Sequence, residues 1–339
     1  MKQLVFILML SIFLFVFVLW MIKPNDRVDL VNVTVNRFDK YLFELFEQNK
    51  IEDISCLDMK FGSFNEVFVT QIMQITNEYN VQQCDIVINK LYEFTQNNDM
   101  QEAYDSTALL FSDFSDLNVD ISSAFTLCNN YFPDYPTPKI ITFFGGFNYG
   151  VVSYDDNIAI GLENFLGFNS KFYKYLGDPE YIKYQKQKRF IISNVMEVWF
   201  NEYFLKYLDG RDLLSQMIYK GKMVYFLDVM LPDLSLSNKL RYSEEEMNWV
   251  IKNEGAIWEY FINEDLLYSS RESKIRSYLN YAPFSKGMPD DAPARVAYYI
   301  GYKIVEDYMQ NNKISIQDLI YLDNSRAFLQ KSKYKPKKQ

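Results

Sequence analysis

From Leu4 to Ile22 every position is apolar except Ser11, and only beyond Pro24 does the chain break into periodic runs. A stretch of about 19 such residues matches the hydrocarbon core of a bilayer and exceeds the apolar region of a cleaved signal. Val31, Val33 and Val35 then alternate, which suggests a short strand. Residues 36–48 place Phe38, Leu42, Leu45 and Phe46 on one helical stripe. A second helix is expected from Ser63, with Glu66 completing a capping box, through Val67, Ile72 and Ile75. Further helices are predicted at 81–95, 101–112 and 120–131, and Pro133, Pro136 and Pro138 mark a seam.

Short runs rich in β-branched and aromatic residues follow at 140–144, 149–154 and 158–162. Broken by Gly145-Gly146 and by Asp155-Asp156-Asn157, they predict a small antiparallel meander with a hairpin turn at the second break. Neither break has the spacing of a phosphate loop or a calcium loop. Helical periodicity returns at 189–207, 212–230 and 243–263, the last opened by Ser243 and Glu246 in capping-box spacing. Others are predicted at 270–280, at 294–310 after Pro293, and from a Ser315 cap. Gly301 inside a helix costs about 1 kcal/mol relative to Ala, so a close helix contact should require it. The fold class is therefore α+β, predominantly α-helical with a small antiparallel sheet, preceded by a transmembrane or signal-anchor helix.

The chain has no histidine, which removes every mechanism built on imidazole: no Ser-His-Asp triad, no Cys-His pair, no His-ligated zinc. A net charge of -9 argues against a nucleic-acid partner. Lys331, Lys333, Lys335, Lys337 and Lys338 form the one basic cluster, read as a solvated, frayed tail. Cys56, Cys84 and Cys128 allow at most one internal disulfide and leave one thiol over; small buried hydrophobes on helices are the simpler reading. The apolar run ends Val-Leu-Trp-Met-Ile, without small residues for cleavage, and no cysteine follows it before Cys56. Residues 1–26 therefore read as a signal anchor or an uncleaved signal. Its charge flanks are nearly balanced; a signal-like start before a large remainder places the short end inside and the main domain in the periplasm.

Five stretches resemble the GldB family of gliding-motility proteins: "FFGGFNYGVVSYDDNIAIGLENFLG" (143–167), "MIYKGKMVYFLDVMLPD" (217–233), "WVIKNEGAIWEYFINEDLLYSS" (249–270), "DAPARVAYYIGYKIVEDYM" (291–309) and "FLQKSKYKP" (328–336). That family is similar in layout to zinc peptidases carrying an H-E-x-x-H helix and a second helix with an acidic ligand before a Gly. The resemblance implies a zincin-like part over 139–330, after an N-terminal helical part over 27–138 and before a basic tail at 331–339. It also implies membership of the envelope machinery for gliding and secretion, usually as a lipoprotein. "SNVMEVWFNEYF" (193–204) then reads as a peptidase helix without its ligands: Met196 and Phe200 stand at the two His positions, Glu197 at the water-activating position, and Lys220 replaces the acid before Gly221. Neither thioether nor benzene ring holds Zn²⁺, and a lysine repels it, though it could pair with Glu197. Independently of that layout, Met196, Trp199 and Phe200 form a core stripe at helical spacing.

These features give a non-catalytic, membrane-anchored binding or scaffold protein without metal or cofactor. Its partners would be other gliding and secretion envelope proteins, and the membrane through Leu4 to Ile22. The competing reading is a His-independent envelope hydrolase with paired carboxylates, whose sign would be raised carboxyl pKa values in a closed cleft. A third reading is a structural scaffold, which would show a large exposed apolar patch without a cleft.

Overall fold

A computed structural model of the chain describes residues 30–47 and 60–337. The predicted anchor, Leu4 to Ile22, lies outside the described residues; among those described, no helix is long and apolar enough to cross a membrane. Extended chain leads in, with the Val31 and Val33 amides donating to Thr126 Oγ1 (3.0 Å) and Ser122 Oγ (3.2 Å). Only Val35–Arg37 forms strand β1. Helices α1 (Phe38–Glu47), α2 (Ser63–Val67, running on through a π turn at Phe68–Ile72), α3 (Cys84–Gln96), α4 (Asn98–Leu110) and α5 (Ser115–Tyr131) follow. The capping box expected at Ser63 does not form. Gly62, at φ 59°, occupies the cap position and Ser63 is the first helical residue. A glycine adopts that backbone without steric cost, so the chain enters the helix one residue earlier.

The sheet comprises β1, β2 (Ile140–Phe143), β3 (Val151–Tyr154) and β4 (Asn157–Gly161), in the order β1-β2-β4-β3. It is mixed, which corrects the antiparallel meander: β1 and β4 both run parallel to β2, and only β3 and β4 are antiparallel. Burial supplies the reason. Ile140, Ile158 and Ile160 face one hydrophobic core, while Ile141, Phe143 and Ala159 face the other. Strands covered on both sides favour interior places, whereas β3 is only half-buried at each position and takes the edge. The predicted hairpin turn is present between β3 and β4, with Asp155 and Asp156 both at positive φ (41° and 60°), the signature of a two-residue turn matched to strand twist.

Beyond the sheet come α6 (Lys171–Tyr175), α7 (Glu180–Gln185), α8 (Ile191–Phe204), α9 (Leu213–Met230), α10 (Leu236–Leu240), α11 (Glu244–Asn263), α12 (Glu272–Leu279), α13 (Val296–Asn311), α14 (Ile316–Tyr321) and α15 (Ser325–Ser332). Caps expected from the sequence are made: Ser243 and Glu246 close a capping box on α11, and Ser315 caps α14 with Asp318. Helix α8 lies on the sheet, where Glu202 accepts from Ser153 Oγ (2.6 Å) and Tyr203 donates to Asp156 (2.9 Å). α9 and α13 cross at two glycines. A Cβ on Gly301 would stand 2.0 Å from the Met217 carbonyl oxygen, and one on Gly221 would stand 2.2 Å from Gly301 backbone. This is the contact that the glycine in α13 demanded.

Among the described residues the tail is held at its start and not frayed from Lys331, and Lys338 lies outside them. Lys331 lies within α15, Tyr334 is buried, and its hydroxyl donates to Glu254 (3.0 Å). Cys84 is disulfide-bonded, and Cys128 is a buried free thiol whose pKa burial pushes up.

Candidate functional site

The four residues singled out from the sequence separate into two pairs. Met196 and Phe200 have no exposed surface and lie inside the larger core, Phe200 packing on Phe204 and Phe226 at 5.1 Å each. They line no cleft. Glu197 and Lys220 instead reach a polar cluster at the edge of that core. The Glu197 carboxylate forms an ion pair with Arg241, not with Lys220 as the sequence had suggested. Lys220 Nζ stands 5.5 Å from the centre of the Tyr298 ring.

At the centre of the cluster are two arginines that sequence reasoning missed. Arg241 closes α10 at φ 58°, and Arg295 precedes α13 at φ 63°, both in the left-handed region that side chains other than glycine rarely occupy. Such conformations persist only where surrounding contacts over-determine them. Here they do. Arg241 Nη1 donates to Asn194 Oδ1 (2.8 Å), while Arg295 Nη1 donates to the Leu240 carbonyl (3.1 Å) and to Tyr281 Oη (2.8 Å). The Arg295 guanidinium is sandwiched between aromatic rings, 4.3 Å from Tyr281 and 3.9 Å from Tyr298. Tyr242, between Arg241 and the Ser243 cap, donates its hydroxyl to the Ala294 carbonyl (2.9 Å) and ties the two arginine-bearing segments together.

Both guanidinium groups floor a cavity of about 310 Å³, walled by Phe168, Tyr181, Tyr184 and Tyr281. Arg241 Nε is buried without a hydrogen-bond partner. An unpaired buried donor costs stability unless something accepts from it. The field is positive. Burial alone would raise the Tyr298 phenol, but Arg295, Lys220 and Arg241 outweigh it and bring its pKa down to about 8. Glu246, also in the lining, is raised by burial; the Ser243 amide and Arg295 oppose that shift.

Glu163 and Lys222 are buried ionisable groups away from this cluster. Glu163 is fully buried; burial lifts its pKa to about 7 against the backbone bonds that its Oε1 accepts from Gly145 (2.7 Å) and Phe147 (3.1 Å). Those amides belong to the Gly145-Gly146 break, where Gly146 and Phe147 both have positive φ, so the small nest they form is filled by the chain's own carboxylate. Lys222 is lowered by burial to about 8 and donates to the Leu322 carbonyl. Among the described residues no group of three or more His, Cys, Asp or Glu side chains is placed to hold a metal ion.

Fold and site together define a mainly helical α+β protein with a mixed four-stranded sheet and an arginine-floored cavity. The chain belongs to the GldB family: the family model described as gliding motility protein GldB matches residues 23–336. No curated protein and no solved structure matches it.

Proposed function

We propose that this chain is a non-catalytic, membrane-anchored component of the gliding machinery and its associated secretion apparatus, acting as a binding protein through the arginine-floored cavity, with its main domain in the periplasm. Family membership supports the link to gliding. The observation that carries the non-catalytic reading is the state of helix α8. The two positions a zinc peptidase would give to histidines are Met196 and Phe200, sealed in the core, and the intervening Glu197 is neutralised by Arg241. A carboxylate engaged by a buried guanidinium is poorly placed to activate a water molecule. Arg241, which pairs with Glu197 of α8, also lines the cavity and links that helix to a place to bind.

Export is supported by the Cys84 disulfide, since such bonds persist in oxidising compartments. The family model is labelled as one of lipoproteins, yet the first cysteine of this chain is Cys56, so Leu4 to Ile22 is the anchor we assign. The hydrolase reading draws no support from Glu163, whose raised carboxyl has no exposed surface. Metal content and peptide turnover test the proposal. Full-length protein purified from its own membranes should hold no stoichiometric transition metal and leave a mixed peptide substrate intact. A tightly held zinc, or turnover abolished by Glu197→Gln in a folded variant, contradicts it.

A further inference from the structure

Resting on the reading of this cavity as a binding site, we propose that the space floored by Arg241 and Arg295 recognises a single carboxylate on an apolar or aromatic body. Three observations point there. First, the floor has unused binding capacity. Arg241 is buried, its Nη1 is committed to Asn194 and its Nη2 to Glu197, but Nε has no acceptor. A carboxylate in the cavity would supply the acceptor that Nε lacks.

Second, the charge balance selects a monoanion. Among the buried and half-buried groups, Arg241, Arg295 and Lys220 face Glu197 and Glu246, which leaves one positive charge uncompensated. Glu180, exposed at the edge, is matched by Lys183. A carboxylate neutralises the surplus, whereas a doubly charged phosphate overshoots it. The lowered phenol of Tyr298 reports the same field, because an anion in the midst of the cations is stabilised even when buried.

Third, the walls suit an apolar body. Phe168, Tyr181, Tyr184 and Tyr281 surround a space of about 310 Å³, at the small end of the range for organic ligands. Both arginines are held in their strained backbone by contacts within the chain, so the floor is preorganised and need not be assembled on binding. The carboxylate has two natural sources, a free small acid or the C-terminal end of a peptide, and both place the same group on the floor.

The test is titration of the full chain in detergent with benzoate and with an N-acetylated tripeptide ending in phenylalanine, each beside its amide, and with inorganic phosphate. We expect saturable binding of the acids, and affinity for the amides weaker by about tenfold or more. Tighter binding of the tripeptide identifies a chain end as the source, and tighter benzoate a free acid; either supports the site. Arg241→Lys, which retains the charge and loses the fork, should weaken both acids. Should that variant not fold, the wild type still decides: benzoate must shift the low-pKa phenolate titration, assigned by its loss in Tyr298→Phe, to higher pH. Acids and amides binding alike, phosphate binding more tightly than either acid, or a phenolate titration indifferent to benzoate overturns the assignment. Any of these leaves the broader binding reading intact, which bound zinc or peptide turnover would overturn.

Discussion

Glu163 shows how a single buried group shapes the behaviour of the whole chain. Its folded pKa, about 7, lies above the ordinary carboxylate value because burial penalises the charge. A raised folded pKa contributes stability that is complete below the unfolded value, near 4.5, and lost as pH rises through 7. Stability should therefore fall across that window, and Glu163→Gln, which retains an acceptor for the Gly145 and Phe147 amides, should flatten it. Above pH 7 the variant should be more stable than wild type by up to about 3 kcal/mol, read from urea unfolding at a series of pH values. An unchanged slope would show that the carboxylate is solvated. Tyr298 has the opposite sign: its folded pKa of about 8 is depressed, so its contribution is full only above the unfolded value, near 10, and is lost as pH falls through 8.

The same scale shows why half of the site was hidden in the sequence. Met196 and Phe200 were legible as a stripe at helical spacing, and the core confirms that stripe. Arg241 and Arg295 lie far apart in the chain and obey no spacing rule. Two local signals mark them all the same. Arg241 sits between α10 and the Ser243 cap, where a helix end commonly places glycine, and Arg295 is a lone cation in the otherwise uncharged stretch "APARVAYY".

Among elements, those governed by local chemistry were readable, apart from the cap at Ser63 that Gly62 displaces, and those governed by long-range pairing were not. The Ser243–Glu246 box, the Ser315 cap and the Asp155-Asp156 turn need only neighbours within a few residues, and each forms as the sequence indicates. The order of strands depends on which runs are buried on both faces, a fact set by helices elsewhere in the chain, and the parallel pairing of β1 with β2 joins segments about a hundred residues apart. The α9–α13 crossing lies between these cases. Gly301 betrayed a close contact without naming its partner, which is Gly221 together with the Met217 carbonyl. Gly301→Ala should cost about 3 kcal/mol, since the new methyl meets backbone, which yields less readily than a side chain. Guanidinium unfolding checks this, and a midpoint equal to wild type would mean that the helices separate freely.

At the scale of the whole molecule, the apolar run Leu4 to Ile22 is proposed to hold the chain at the membrane and the arginine cavity to bind its partner. Deleting residues 4–22 should release the protein from the membrane fraction; continued sedimentation would assign anchoring to a partner or a lipid. The central claim is that the pocket works by binding through its arginines. Measuring surface gliding in cells carrying the double replacement Arg241→Met with Glu197→Met, beside the amount of protein in their membranes, tests it most directly. The exchange removes a buried charge pair as a unit and so spares the fold the cost of a stranded ion. We expect wild-type protein levels with gliding lost; gliding at the wild-type rate from a normally abundant variant would contradict the account.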